Sequence, residues 1–183
     1  MTNDRGGPIH NQAPLPALPG PHSSRLSKSS RAAIAKTERT PFAGPREPNA
    51  RERELYLRLL TLGGDQVVVP AEGEDLDLER VFALGQLLAG DNAIRKPGKP
   101  CHCHYNAARL WEQGQATDAA EPARGCTLAT GYALSDDQLW RSHSFCVAAD
   151  GRVLETTTLR HRYFGVLLNL DEAAAFLKRE LSV

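Results

Sequence analysis

From Asn49 onward the apolar residues fall at helical spacing. In the stretch Arg51-Glu-Arg-Glu-Leu-Tyr-Leu-Arg-Leu-Leu60, Leu55 and Leu59 share a face with Leu62, and Gly63-Gly64 stops the run. With Asn49 as N-cap, the pattern predicts a helix from about 50 to 62. Gln66-Val-Val-Val69 is a short apolar run ending at Pro70, read as a strand or extended connection, and an acidic loop follows from Glu72 to Asp77. Helical spacing returns from Leu78 to Gly90, where Val81, Leu84, Leu87 and Leu88 are apolar and Gly90 supplies a stop. Asn92 to Pro100 is a Pro/Gly/Lys loop that delivers the chain to Cys101.

Beyond it the periodicity changes. Asn106-Ala-Ala-Arg-Leu-Trp-Glu-Gln113 is built of helix formers and ends at Gly114, which sets Cys103 at the helix entrance. Cys126 to Leu134 reads as a strand, Leu139 to Arg141 as a short extended piece, and Ser142 to Ala149 as a second strand. Asp150-Gly151 is a hairpin turn, Arg152 to Thr157 a third strand, Tyr163 to Leu170 a fourth, and Asp171 to Leu181 a closing helix with acidic residues at its start. Helices followed by an antiparallel meander define an α+β fold, with N-terminal helices packed on a small antiparallel sheet. The sequence contains no internal repeat.

Composition changes this picture at one end. Eight of the twelve prolines lie in the first fifty residues, beside a serine cluster from Ser23 to Ser30, and so sparse an apolar content cannot offset chain entropy. Residues 1–48 are therefore expected to be a disordered arm, with at most a short helix around Arg31 to Arg39, and residues 49–183 the folded domain. The formal net charge of zero conceals a basic arm, with seven Lys/Arg against three Asp/Glu in residues 1–50, and a mildly acidic domain. Such a domain lacks the footprint of a nucleic-acid binder. No apolar run approaches the roughly 18 residues of a membrane span. The first residues have no apolar signal core, so a cytoplasmic protein is expected, with a non-classical export route as the secondary expectation.

The chemistry concentrates in Cys101, Cys103, Cys126 and Cys146, for which structural disulfides are not expected in that compartment. A thiol becomes a nucleophile near neutral pH when its pKa is lowered, which a helix N-terminus and an imidazolium both achieve. Cys103 has the first. His143, on a central strand, is the candidate base, and Glu155 across the hairpin is the acceptor that would fix its other ring nitrogen. A two-residue Asp150-Gly151 turn pairs Ala149 with Arg152, which puts Glu155 opposite Cys146 and His143 opposite Thr158. That register supports neighbourhood only, and a bulge is needed to bring the two side chains to one face. The backbone N–H of Cys103 is a candidate oxyanion donor, with a second expected near His102. Asn106 is placed to bond a neighbouring loop or the substrate, and Trp140 is read as core or rim, with a substrate platform as the alternative.

The order of helix-borne Cys, strand-borne His and an acid on the next strand is similar to papain-like and transglutaminase-like thiol enzymes. More narrowly, Cys103-His-Tyr-Asn-Ala107, Gly131-Tyr-Ala-Leu-Ser135, His143-Ser-Phe145, Gly151-Arg-Val-Leu-Glu-Thr-Thr157 and Tyr163-Phe-Gly-Val166 resemble a group of small, mostly uncharacterised bacterial and phage proteins. These share a Cys-x-x-Asn-Ala helix start, Gly-Tyr-Ala, His-Ala-Trp and Asp-Pro-Thr strands, and a Tyr-Phe-Gly ending. The likeness covers residues 98–168 and departs at Phe145, where the group has Trp, and at Glu155-Thr156, where it has Asp-Pro. It implies a papain-like core and a Cys103–His143–Glu155 triad.

These residues predict a thiol hydrolase or acyltransferase (peptidase, amidase, deamidase or transamidase) that forms a covalent acyl-enzyme. It would act on a protein, peptide or amide substrate without cofactor or metal, and dock partners through the arm. Three alternatives stay open. A binding or adaptor protein on the same scaffold is one. Zinc bound by the Cys101-His-Cys-His104 run with Cys126, Cys146, His143 or His161 is disfavoured by the Cys-x-Cys step and the absence of a second close pair. Redox sensing through Cys101 and Cys103 is disfavoured because the two are too close in sequence for an unstrained disulfide.

Overall fold

The computed structural model describes residues 40–71, 77–116 and 118–182. Residues 1–39 of the arm expected over 1–48, including its short helix, and most of the acidic loop lie outside the described residues. Among those described, four helices and one mixed eight-stranded sheet form an α+β domain. The elements run β1 (Phe42–Ala43), α1 (Ala50–Thr61), β2 (Gln66–Val68), α2 (Leu78–Leu84), β3 (Gln86–Ala89), β4 (Ile94–Arg95), α3 (Cys103–Gly114), β5 (Thr127–Leu134), β6 (Leu139–Val147), β7 (Val153–Glu155), β8 (Arg162–Leu167) and α4 (Leu170–Leu181).

The main path of the sheet is β1-β2-β6-β5-β8-β3. Strands β5, β6, β7 and β8 pair antiparallel, but β8 lies against β5 instead of β7, so they are not the expected meander, and β1–β2, β2–β6 and β4–β7 are parallel, so the sheet is mixed rather than purely antiparallel. Because β5 occupies one edge of β6 along almost its whole length, the other edge is divided: β2 takes Leu139 and Trp140, and β7 takes Cys146 and Val147. Residues 141–145 face no strand there. His143 stands in the middle of this gap.

Alternation sorts the side chains onto two faces. Leu128, Tyr132, Trp140, Cys146, Leu154, Phe164 and Val166 pack in one buried cluster with Leu55, Leu59, Ala107, Trp111, Ala173 and Phe176 of the helices. On the other face, Ala129, Ala133, Phe145, Val147, Val153 and Tyr163 form a smaller cluster. Gly131 and Gly165 are partners between β5 and β8, and a Cβ on Gly131 would lie 2.2 Å from the Phe164 carbonyl oxygen. Beside His143, which pairs with Gly131 from β6, the backbones approach too closely for any side chain.

Four features differ from the sequence expectation. The domain begins before Asn49: Phe42 and Ala43 extend the sheet beside β2, and Arg46 forms a bidentate ion pair with the buried Glu52 carboxylate. Glu52 also completes a capping box with Asn49, so a prolyl stretch with little core of its own is held by one buried charge pair. The helix expected from Leu78 to Gly90 ends at Leu84, and Gln86–Ala89 pairs antiparallel with β8. Here Leu87 and Leu88 fit a strand as well as a helix, and the free edge of β8 decides for the strand. The Asn92–Pro100 loop contains β4, and the two extended segments expected between Leu139 and Ala149 are one continuous strand.

Candidate active site

The start of α3 carries Cys103 to the open edge of β6. Cys101 precedes it with φ of 60°, a left-handed turn that redirects the chain, and His102 at the N-cap position gives the helix no side-chain cap. First-turn N–H groups are thus without a side-chain cap, and their partial positive charge at a helix start favours a thiolate.

His143 reaches Glu155 through a register change. The hairpin closes with a turn over Ala148–Gly151, in which Gly151 at φ 84° donates its N–H to the Ala148 carbonyl, and Cys146 pairs with Leu154. This three-residue loop moves the pairing one residue from that of a two-residue turn. Glu155 then lies level with Phe145 rather than Cys146, and so on the same face as His143 two residues before. The bulge supplies the missing parity.

The His143 Nε2 lies 2.8 Å from Glu155 Oε2, with both side chains almost completely buried. The remaining acceptor sites of the carboxylate are well used: Tyr163 Oη donates to Oε2 at 3.0 Å, and the Thr157 N–H and Oγ1 donate to Oε1 at 2.7 and 2.8 Å. Phe145 and Tyr163 flank the imidazole at ring-centroid distances of 6.4 and 6.2 Å, so it cannot rotate freely. With Nε2 held by Glu155, Nδ1 is the nitrogen left for its hydrogen bond with Cys103.

Electrostatics within this chain are strongly coupled. Burial alone would push the Cys103 thiol up, but hydrogen bonds from His104 and then His143 outweigh it and bring it from 9.0 down to about 5. Burial disfavours the His143 imidazolium, yet its bonds to Cys103 and Glu155 raise it from 6.5 to about 9. Glu155 is likewise opposed by burial and is lowered to about 2, chiefly by His143. Between these limits the arrangement is a thiolate–imidazolium pair backed by a carboxylate.

Five groups join the site that the sequence did not assign to it as a thiol centre. His104 Nδ1 lies 2.7 Å from Ser144 Oγ, which donates in turn to Thr130 Oγ1, and His104 gives the thiolate a second imidazole. The sequence offered it only as a metal ligand, within Cys101-His-Cys-His104. Tyr163 and Thr157 stand in the quoted motifs, but nothing local says that they hold Glu155.

Of the weaker assignments, Asn106 bonds the preceding loop: its amide donates to the Lys99 carbonyl at 2.7 Å and its oxygen accepts from the Lys99 N–H at 3.0 Å. It shapes the Pro97–Pro100 wall and does not face the thiol cleft. Trp140 is no substrate platform; it is completely buried in the core and donates to the Gly63 carbonyl at 2.7 Å. The exposed His102 ring lies 2.6 Å from the Pro100 carbonyl and does not line the cleft. Of the other ligands considered for zinc, Cys126 and Cys146 bond each other and contact the Leu110 and Ala107 carbonyls of α3, and His161 pairs with Asp136; among the described residues no three of the candidate ligands come together around a metal position.

Cys103 and His143 border a cleft of about 500 Å³ whose walls also include Pro97, Gly98, Pro100 and Cys101, while Glu155 is fully buried and does not line it. Among the described residues, no helix is long and apolar enough to cross a membrane. The chain matches no protein-family model, no curated protein and no solved structure.

Proposed function

We propose that the protein is a cysteine-dependent hydrolase or acyltransferase acting on an amide or thioester, as its resemblance to papain-like thiol enzymes implies. What supports this reading is that Cys103, at an uncapped helix start, and His143, bonded to Glu155, line one cleft, where the His104 and His143 imidazoles lower the thiol pKa. The Cys103 thiolate attacks the substrate carbonyl carbon; a carbon–sulfur bond forms and the carbonyl π pair moves to oxygen. The Cys103 N–H at the start of α3 is available to that oxyanion. Collapse breaks the bond to the leaving amine or thiol, which takes the proton from His143 Nδ1, and leaves an acyl-enzyme. Water or an acceptor amine then gives its proton to Nδ1 as it attacks, and the thiolate is released. Glu155 holds Nε2–H throughout and keeps the ring in the tautomer that makes Nδ1 the base.

Alkylation by iodoacetamide followed across pH tests the proposal. Peptide mapping should find Cys103 modified at about pH 6, well below the ordinary thiol range. Sluggish modification of Cys103 at that pH would remove the nucleophile and with it the reading.

A further inference from the structure

The cleft that borders Cys103 is lined on its outer side by three arginines, Arg95, Arg141 and Arg160, and by no carboxylate among the described residues. Arg141 is already neutralised, since it makes two bonds to Asp137 at 2.8 and 2.6 Å. Arg95 and Arg160 have no acidic partner among the described residues. Arg160 is the unusual one. Its Nη1 donates to Ser135 Oγ at 2.5 Å, while its Nε is shut off from solvent and has no hydrogen-bond partner. A half-buried guanidinium with an unspent donor is unfavourable, because the lost hydration is replaced by nothing. The closed-off Nε is not the atom a ligand meets, but Arg160 lines the cleft, and the Nη groups of a guanidinium also pair with carboxylate oxygens. The Arg160 backbone N–H also donates to Tyr163 Oη at 3.2 Å, and Tyr163 holds Glu155, so the backbone that carries the guanidinium is tied to the hydrogen-bond system that fixes His143.

Resting on the acyl-transfer reading above, we propose that this cleft takes substrates bearing a carboxylate beside the scissile bond, such as peptides with an acidic residue there. Arg160 binds that carboxylate and Arg95, exposed at the mouth, draws it in. The thiolate contributes one negative charge against the two unbalanced arginines, so the mouth retains a positive excess.

The test uses the full chain and dipeptide acyloxymethyl ketones, thiol-directed acyl probes carrying Glu, Gln or Lys at either position. The rate of Cys103 modification is measured by mass spectrometry. A Glu probe should react about tenfold faster than its Gln counterpart, the ratio of one charged hydrogen bond in a partly desolvated site, with Lys slowest. That Glu-to-Gln ratio should fall toward one in Arg160→Gln, fall partway in Arg95→Gln, and shrink for the unaltered protein at about 0.5 M salt. The exposed Arg95 and the salt series keep the test informative if Arg160→Gln does not fold. Equal rates for Glu and Gln at both positions, with iodoacetamide still modifying Cys103 at about pH 6, would overturn this inference and leave the nucleophile reading standing. Failure of iodoacetamide itself would overturn both.

Discussion

Glu155→Gln tests how the buried carboxylate acts. The side chain is fully buried and accepts from His143, Tyr163 and twice from Thr157. Glutamine has the same size but only one acceptor oxygen. The Thr157 N–H can only donate, so the amide oxygen is drawn to that side and the amide NH₂ is turned toward His143 Nε2. An NH₂ group there is compatible only with an unprotonated Nε2, which places the ring proton on Nδ1, facing the thiol. The substitution therefore removes a charge and also selects the tautomer that cannot act as base. A hydrogen bond to a charged group is worth about 1.5–3 kcal/mol, and about 1.4 kcal/mol corresponds to one pH unit. The ion pair exists in the unaltered protein between pH of about 5 and about 9. In the variant the alkaline edge should fall by about one to two pH units and the acid edge should rise, as the thiolate loses part of its imidazolium. The rate of acyl-probe modification should become a narrow bell with a maximum reduced at least about tenfold. Circular dichroism checks that the fold persists. A profile with unchanged edges and height in a folded variant would refute the role given to Glu155.

Cys103→Ala should abolish probe labelling, whereas Cys101→Ala should retain it; the opposite result, read by peptide mapping, would move the nucleophile. His104→Gln should raise the Cys103 thiol pKa, because the first of its two stabilising imidazoles is gone, and the pH dependence of iodoacetamide alkylation measures the change. For stability, Glu155 has a folded pKa depressed from 4.5 to about 2. Its contribution is complete above the unfolded value and is lost as pH falls through the folded one. Urea unfolding should therefore show on the order of 3 kcal/mol disappearing between pH of about 4.5 and about 2, and this loss should be absent in Glu155→Gln. Arg46→Ala strands the buried Glu52 carboxylate and should lower Tm by several degrees in a calorimetric scan, at a cost of about 1–3 kcal/mol.

What the sequence determined is what depends on near neighbours in the chain. Helical spacing and the Asn49 cap define α1, the alternation of β5 and β6 defines the centre of the sheet, and the Cys103 position at a helix start follows from composition alone. Where a short apolar run suited two periods, as at Leu87 and Leu88, the neighbouring edge of β8 chose between them, and that edge is some seventy residues away. The same holds for the site. Cys, His and acid could be named from residue type and order, but the face shared by His143 and Glu155 depended on a single residue of hairpin register, since each step along a strand reverses a side chain. His104, Tyr163 and Thr157 join the site only because distant strands close on one another, and Trp140 leaves it because its indole finds Gly63 across the fold. Local pattern assigns a residue its element; packing between elements assigns it its partner, and hydrogen bonds and pKa values belong to the partner.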